Sequence, residues 1–246
     1  MKFTLVVPVA PERDAPIIES IKNLDYDKSE FHVVVIAGKN PSLNRNKGVD
    51  RAKGEFIVFL DDDALIKEDY LNEIERFFIE HPEIDVVGGP QLTPEDDGGF
   101  AKISGYALNS KFGAWKLSGR YGKMEKNLEA DEKDLTSANL VCRKRVVEKV
   151  RFDENLFPAE DPKFISDAIN EGFRIAYSPD IVVHHKRRPD FRSLVKQIFN
   201  YGKFRPKKER FLETLNQPFF FIPSLFAVYL GLLILTILAN PSITGG

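Results

Sequence analysis

Three adjacent carboxylates, Asp61, Asp62 and Asp63, follow the apolar run FIVFL of Phe56–Leu60. Three like charges at one strand end repel one another unless a cation sits among them, and a hard divalent ion with oxygen ligands is the usual answer. Alternate side chains of an extended chain point the same way, so Asp61 and Asp63 converge. A plainer reading has Asp62 or Asp63 capping the helix that follows. A second acidic pair, Glu160-Asp161, stands in LFPAEDPKF. Pro162 suits a first helical position, so Asp161 reads either as an N-cap or as a positioned general base. His184 and His185 end a β-branched stretch just before Lys186-Arg187-Arg188. A histidine at such a strand end is either a metal ligand or an ordinary surface residue.

The elements that must position these groups alternate between strand and helix. Phe3–Ala10, Phe31–Ile36 and Phe56–Leu60 are apolar runs of strand length, and Val86–Val87 opens a fourth ahead of Gly88-Gly89-Pro90. Between them lie helical patterns over Ala15–Asn23, Ser42–Lys53 and Glu68–Glu80, the last with Tyr70, Leu71, Ile74, Phe77 and Phe78 on one face. Short, unalternating apolar strands between helices predict a parallel sheet covered on both faces. Ligands of such sheets bind beyond the carboxyl ends of the strands, so the loops after Ala10, Ile36 and Leu60 should meet. The second half is less regular. It predicts a helix over Phe100–Leu117, a mobile Gly-rich stretch 118–135 and a strand over Ser137–Cys142. A helix over Pro162–Glu171 closed by Gly172, and extended segments Arg174–Tyr177 and Ile181–His185 around a turn at Pro179, follow.

With 246 residues, 43% hydrophobic and 29% charged, the chain is neither disordered nor fibrous. Its single cysteine, Cys142, excludes a disulfide framework and a Cys-based zinc site. The net charge of −2 hides an uneven distribution: residues 184–210 hold ten Lys/Arg against two acids, and no charged residue follows Glu213. Residues 219–239 form an apolar run of bilayer-spanning length, about 31 Å as a helix. The basic flank before it puts the preceding domain on the cytoplasmic side by the positive-inside rule. Residues 190–210 have the spacing of an interfacial amphipathic helix. Beside an apolar tail, such a basic strip points to anionic lipid rather than nucleic acid. Phe3–Ala10 reads as a first strand and not a signal peptide. The PSITGG end fits a piece of a longer membrane protein.

Taken in order, three groups of motifs resemble one family: Asn44-Arg45-Asn46-Lys47-Gly48 through Asp61-Asp62-Asp63; Ser137-Ala138-Asn139-Leu140 with Phe152-Asp153-Glu154; and Glu160-Asp161 to His184. The chain resembles, over about residues 3–205, the family-two nucleotide-sugar glycosyltransferases of the GT-A fold, in their membrane-anchored branch. The resemblance implies a Rossmann-like three-layer α/β sandwich with a mostly parallel sheet. An interfacial helix and a transmembrane helix would follow it. The catalytic domain would occupy 1–188, the basic amphipathic helix 189–213 and the transmembrane segment 214–246. In that family the strand-end motif is D-x-D, which falls here on Asp61 and Asp63. The first contacts the nucleotide ribose and the last holds Mn²⁺ or Mg²⁺ on the diphosphate. Asp161 would be the base of an inverting transfer. Pro8, Ala10, Glu12, Ala37, Arg45 and Asp62 would lie along the nucleotide, His184 would join Asp61 and Asp63 at the metal, and Gly89, Asn139, Glu160 and Gln197 would border the sugar and acceptor. The donor would be a UDP- or GDP-sugar and the acceptor lipid-linked or glycan.

Two departures from the family pattern leave details open. Ala37-Gly38-Lys39 stands where an acid often reads the base, so UDP and GDP are both kept. Gln197-Ile198-Phe199-Asn200-Tyr201 keeps the Gln and an aromatic of the processive Q-x-x-R-W motif but not its Arg, which favours single transfer. Two other readings are an inactive nucleotide-binding membrane scaffold and a sugar nucleotidyltransferase. The second wants a glycine-rich loop after the first strand, and PVAPERD has no glycine.

Overall fold

A computed structural model describes residues 1–110, 114–208 and 221–239. The chain divides into two compact units, Met1–Phe204 and Arg205–Gly246.

The first unit is built on a six-stranded sheet. Its strands are β1 (Phe3–Val9), β2 (Phe31–Ala37), β3 (Phe56–Leu60), β5 (Val86–Gly88), β7 (Asn139–Arg143) and β8 (Ile175–Tyr177), in the order β2-β1-β3-β7-β5-β8. β1 runs parallel to β2 and β3, and β5 parallel to β8; β7 alone is antiparallel to its neighbours. The mostly parallel α/β sheet expected from the sequence is therefore present. The two faces of the strands feed two cores. Leu5, Val7, Val58 and Leu60 pack with Ile17 and Ile21 of α1 (Ile17–Lys22) and with Leu71, Ile74, Phe77 and Phe78 of α3 (Tyr70–Glu80). Val6, Ile57 and Phe59 pack on the other side with α5 (Lys144–Lys149) and with Phe164, Ile165 and Ala168 of α6 (Glu160–Asn170). Each Leu, Ile or Phe buried this way stabilises the fold by about 1.5–3 kcal/mol. Phe152 stacks on Phe164 at 4.4 Å and meets Phe59 edge-on at 5.1 Å, which anchors the start of α6 against β3.

A second, three-stranded sheet follows the order β4-β9-β6, from β4 (Ala64–Ile66), β9 (Val183–His185) and β6 (Gln91–Leu92). β4 and β6 are three and two residues long, too short to leave a periodic signature. Their pairing sets Ala64 opposite His185 and Leu65 opposite His184.

Other expectations shift. The helix expected over Phe100–Leu117 is α4 (Gly99–Asn109), ended where Ser110 turns extended, followed by a 3₁₀ turn at Trp115–Arg120; residues 111–113 lie outside the described part. The 118–135 stretch, expected to be mobile, is tied along the edge of β8. Asn127 and Tyr177 exchange backbone hydrogen bonds of 3.0 and 2.7 Å, the Ala130 amide donates to Ile175 at 3.1 Å, and Ala130 and Leu135 are buried. Gly89 owes its lack of a side chain to the turn at Pro179. A Cβ there would overlap the Ile181 carbonyl oxygen and lie 2.6 Å from that of Ser178. Gly89→Ala therefore lowers stability by about 1–3 kcal/mol, measured by urea denaturation; an unchanged midpoint would contradict the close packing.

The C-terminal expectation is corrected. The helix α7 (Phe191–Lys208) precedes residues 209–220, which lie outside the described part. The final helix, α8 (Ile222–Ala239), has 18 residues. Among the described residues no helix is long and apolar enough to cross a membrane. This overturns the placement of the chain as a membrane-spanning protein with its catalytic domain on the cytoplasmic side.

Candidate active site

The acidic motif begins where β3 ends. Asp62 and Asp63 lie in a turn that the Ala64 amide closes on the Asp61 carbonyl at 3.2 Å, and this turn leaves Asp61 and Asp63 on the side of His185 while Asp62 folds back onto the loop after β1. The Asp61, Asp63 and His185 ligand atoms lie within 4.8 Å of one another. His185 Nε2 is 3.0 Å from Asp63 Oδ1 and 3.7 Å from Asp61 Oδ2. Asp62 is buried and accepts from the Ala10 amide at 3.2 Å and from Arg13 Nη1 at 3.1 Å. Arg13 Nη2 also bonds Asp63 Oδ2 at 2.7 Å. Asp62 thus fixes the loop after β1.

The histidine expected at this cluster was His184; the structure places His185 there instead. Successive side chains of β9 point to opposite faces, and pairing with β4 sets His185 beside Ala64, next to Asp63. Burial and the nearby Lys67 push the His184 imidazole towards its neutral form. At His185 burial opposes the charge, but hydrogen bonds to Asp61 and Asp63 outweigh it and raise its pKa to about 10. Burial likewise opposes the charge of Asp61, and His185 and Arg45 together still lower it to about 2. Without metal, the raised pKa of His185 contributes stability that is full below its ordinary value of 6.5 and is lost as the pH rises through about 10.

Arg45 joins the two acidic motifs. It lies on α2 (Pro41–Asp50), which starts at Asn40, whose side chain caps the Leu43 amide at 3.1 Å. Asn44 bonds the Gly38 carbonyl at 2.9 Å, and Asn46 bonds the Phe152 amide and carbonyl at 3.0 and 2.9 Å. These two asparagines hold the flanking loops and leave Arg45 facing the carboxylates. Its Nη2 is 2.9 Å from Asp61 Oδ1; its Nη1 is 3.1 Å from Glu160 Oε1 and 3.9 Å from Asp161 Oδ1. The side chain is only 5% exposed. Burial disfavours its charge, yet Asp61, Asp161 and Glu160 hold its pKa above the ordinary value. Glu160 is buried and moves the other way: burial first, then the neighbouring Asp161 charge, raise it to about 7. Asp161 sits in the first turn of α6 with Glu160; Ala159 holds the N-cap position at φ 136°. The Asp161 Oδ1 accepts a hydrogen bond from Ser137 Oγ, so Asp161 does not act as the cap.

The other expected residues are dispersed. Pro8 is buried in β1, Ala37 is exposed at the end of β2, and exposed Glu12 adopts φ 62° in the loop after β1. The Gly38 amide joins these two strand ends through the Val9 carbonyl at 3.0 Å. Asn139 is fully buried: its Oδ1 accepts from the Tyr70 hydroxyl at 2.7 Å, and its Nδ2 donates to the Ile181 and Pro90 carbonyls at 2.8 and 3.3 Å. Its amide braces the Gly89 and Pro179 turns from within. Gln197 lies on α7 and bonds Tyr201, which stands close enough to Asp161 to feel its charge.

Sequence reasoning gave no role to Arg13 or Arg187, and it chose His184 over His185 at the acidic cluster. The Arg187 amide bonds Asp97 at 3.0 Å and its Nε bonds Thr93 at 3.1 Å, while its guanidinium also reaches the Gln91 carbonyl and lies 4.9 Å over the Tyr121 ring. It ties the segment after His185 to the loop after β6. Only a non-local pairing reveals any of these roles.

The family model described as Glycosyl transferase family 2 matches residues 11–151. The chain is 27% identical over 181 residues to the minor teichoic acid biosynthesis protein GgaB of Bacillus subtilis, covering 72% of this chain and 19% of that one. It is 28% identical over 171 residues to the GalNAc(5)-diNAcBac-PP-undecaprenol beta-1,3-glucosyltransferase of Campylobacter jejuni, covering 63% of this chain and 49% of that one. The chain thus spans half or less of the length of these two relatives. The fold is similar to that of S. aureus TarS 1-349 in complex with UDP-GlcNAc, with a TM-score of 0.58, 21% identity, and coverage of 78% of this chain and 60% of that one. The mostly parallel mixed sheet is that of a GT-A-like α/β fold. The matched segment takes in more than half of the sequence, and the chain belongs to glycosyl transferase family 2.

Proposed function

We propose that this chain transfers a sugar from a UDP- or GDP-sugar to a hydroxyl of a lipid-linked or glycan acceptor, with inversion at the anomeric carbon and with a divalent cation. The observation that carries the reading is the Arg45 bridge, which sets Asp61 at 2.9 Å and Asp161 at 3.9 Å from one guanidinium. A donor-side acid and an acceptor-side base are thereby neighbours. The name of the Campylobacter relative includes a polyprenyl-diphosphate-linked glycan, which supports the acceptor class.

Asp61, Asp63 and His185 fit a cation. Two carboxylates and an imidazole make a mixed oxygen–nitrogen donor set, which suits Mn²⁺ better than Mg²⁺. When bound, the cation neutralises charge on the departing nucleoside diphosphate. The protein's own residues do the rest. Ser137 holds the Asp161 carboxylate through Oδ1. Asp161 takes the proton of the acceptor hydroxyl as that oxygen bonds to the anomeric carbon. The bond from that carbon to the diphosphate oxygen breaks on the opposite face, and its electron pair leaves with the diphosphate. Arg45 keeps Asp61 and Glu160 in place beside the reacting groups.

A thermal-shift series with UDP, GDP and their sugars, with and without Mn²⁺, tests this. One nucleotide should raise Tm only with the metal present. His185→Ala should abolish the metal-dependent part, and His184→Ala should leave it. Because binding displaces the His185 proton, apparent Mn²⁺ affinity should rise roughly tenfold per pH unit from 6.5 upward, levelling off near the His185 pKa of about 10. A pH-independent affinity, or loss through His184 instead, would refute the assigned ligand set.

A further inference from the structure

We infer that Arg13 supplies a second positive charge to the donor's diphosphate, beside the cation held by Asp61, Asp63 and His185; this rests on the nucleotide-sugar reading above. Arg13 is built into the same carboxylates. Its Nη1 lies 3.1 Å from Asp62 Oδ1 and its Nη2 2.7 Å from Asp63 Oδ2. The loop is shaped to put it there. The Ala10 amide is fixed on Asp62 at 3.2 Å, the Arg13 amide turns back to the Ala10 carbonyl at 3.3 Å, and Glu12 between them adopts φ 62°. A non-glycine residue held in that region is a strained choice that a simple surface turn does not need.

Charge decides what this arginine is for. Asp61, Asp62, Asp63, Glu160 and Asp161 face only Arg45, Arg13 and His185 within the contacts described above. A diphosphate entering this acid-rich cleft needs more cationic charge than the metal brings. Arg45 is unavailable, since its side chain is 5% exposed and both its Nη atoms face carboxylates. Arg13 is available, with its side chain 47% exposed. A guanidinium carries five N–H donors, of which the two carboxylates occupy two, and its planar fork matches phosphate oxygens. The arrangement also explains the middle acid of the motif. Asp62 does not face the cation; it aims Arg13.

Calorimetric titration of the full chain at saturating Mn²⁺ tests the inference, with uridine, UDP, guanosine and GDP as probes on wild type, Arg13→Gln and Arg13→Lys. The diphosphate that binds wild type should lose roughly ten- to a hundredfold in affinity in Arg13→Gln, while its nucleoside keeps its affinity. Arg13→Lys should recover part of the loss. A folded Arg13→Gln protein with unchanged diphosphate affinity would overturn the inference. So would an equal loss for nucleoside and diphosphate, which would make Arg13 a loop-ordering residue. If Arg13→Gln does not fold, Arg13→Lys is read in the same way. Wild type that binds no nucleotide would overturn the donor reading itself, and this inference with it.

Discussion

Asp161→Asn should cut turnover by roughly a hundred- to ten-thousandfold, the range for removing a general base. The substitution keeps the shape of the side chain, and its amide oxygen still accepts from Ser137. Arg45 retains Asp61 and Glu160 as partners at 2.9 and 3.1 Å, so the cluster stays assembled. What is lost is the basic carboxylate that takes the acceptor proton. The expected pattern is a fall in kcat with metal-dependent nucleotide binding retained, read by steady-state kinetics and by titration on the same sample. Full turnover in the variant would place the base elsewhere. Loss of nucleotide binding together with turnover would make Asp161 a structural residue.

Arg45→Met should be the most destabilising single change in the site, by about 3–5 kcal/mol, because it removes the buried cation that Asp61 and Glu160 share. Asp61 loses a 2.9 Å partner and Glu160, itself 6% exposed, a 3.1 Å partner. For a protein of this size the loss corresponds to a fall in Tm of roughly 6–20 °C. The effect should shrink as the pH falls. Glu160 already favours its protonated form through burial and the Asp161 charge, and protonation removes the repulsion that Arg45 now offsets. Arg45→Lys keeps the charge but not the fork that spans two carboxylates, so it should restore only part of the stability. Urea denaturation at pH 5 and pH 8 reads both features. A variant within about 1 kcal/mol of wild type at pH 8 would show that the carboxylates find other partners.

Much of this protein was legible along the chain. β1 and β3 read as buried strands because both their faces feed a core, and α3 because its apolar residues fall on one helical face. Asp61 and Asp63 do converge, though through a turn closed by the Ala64 amide on the Asp61 carbonyl and not through the alternation of an extended chain. The place of Asp161 before Pro162 suggested an N-cap, but Ala159 takes that position, and the partners that hold Asp161, Ser137 and Arg45, are remote in sequence.

Elsewhere local chemistry favoured the wrong reading. The apolar run at 219–239 has the composition of a membrane span, but among the described residues no helix is long and apolar enough to cross a membrane. The resemblance set Asn139 beside the sugar and acceptor. Burial and three internal hydrogen bonds make it a brace instead.

The sequence by itself determined which residue types could do the chemistry and which strand end would carry them, since both follow from short-range periodicity. The tertiary structure alone decided His185 over His184, the return of Arg13 onto Asp62, and the meeting of two acidic motifs on Arg45. Each depends on pairing between segments far apart in the chain. A slip of one residue between β9 and β4 would exchange the two histidines between faces, and nothing in either strand's own residues fixes that register.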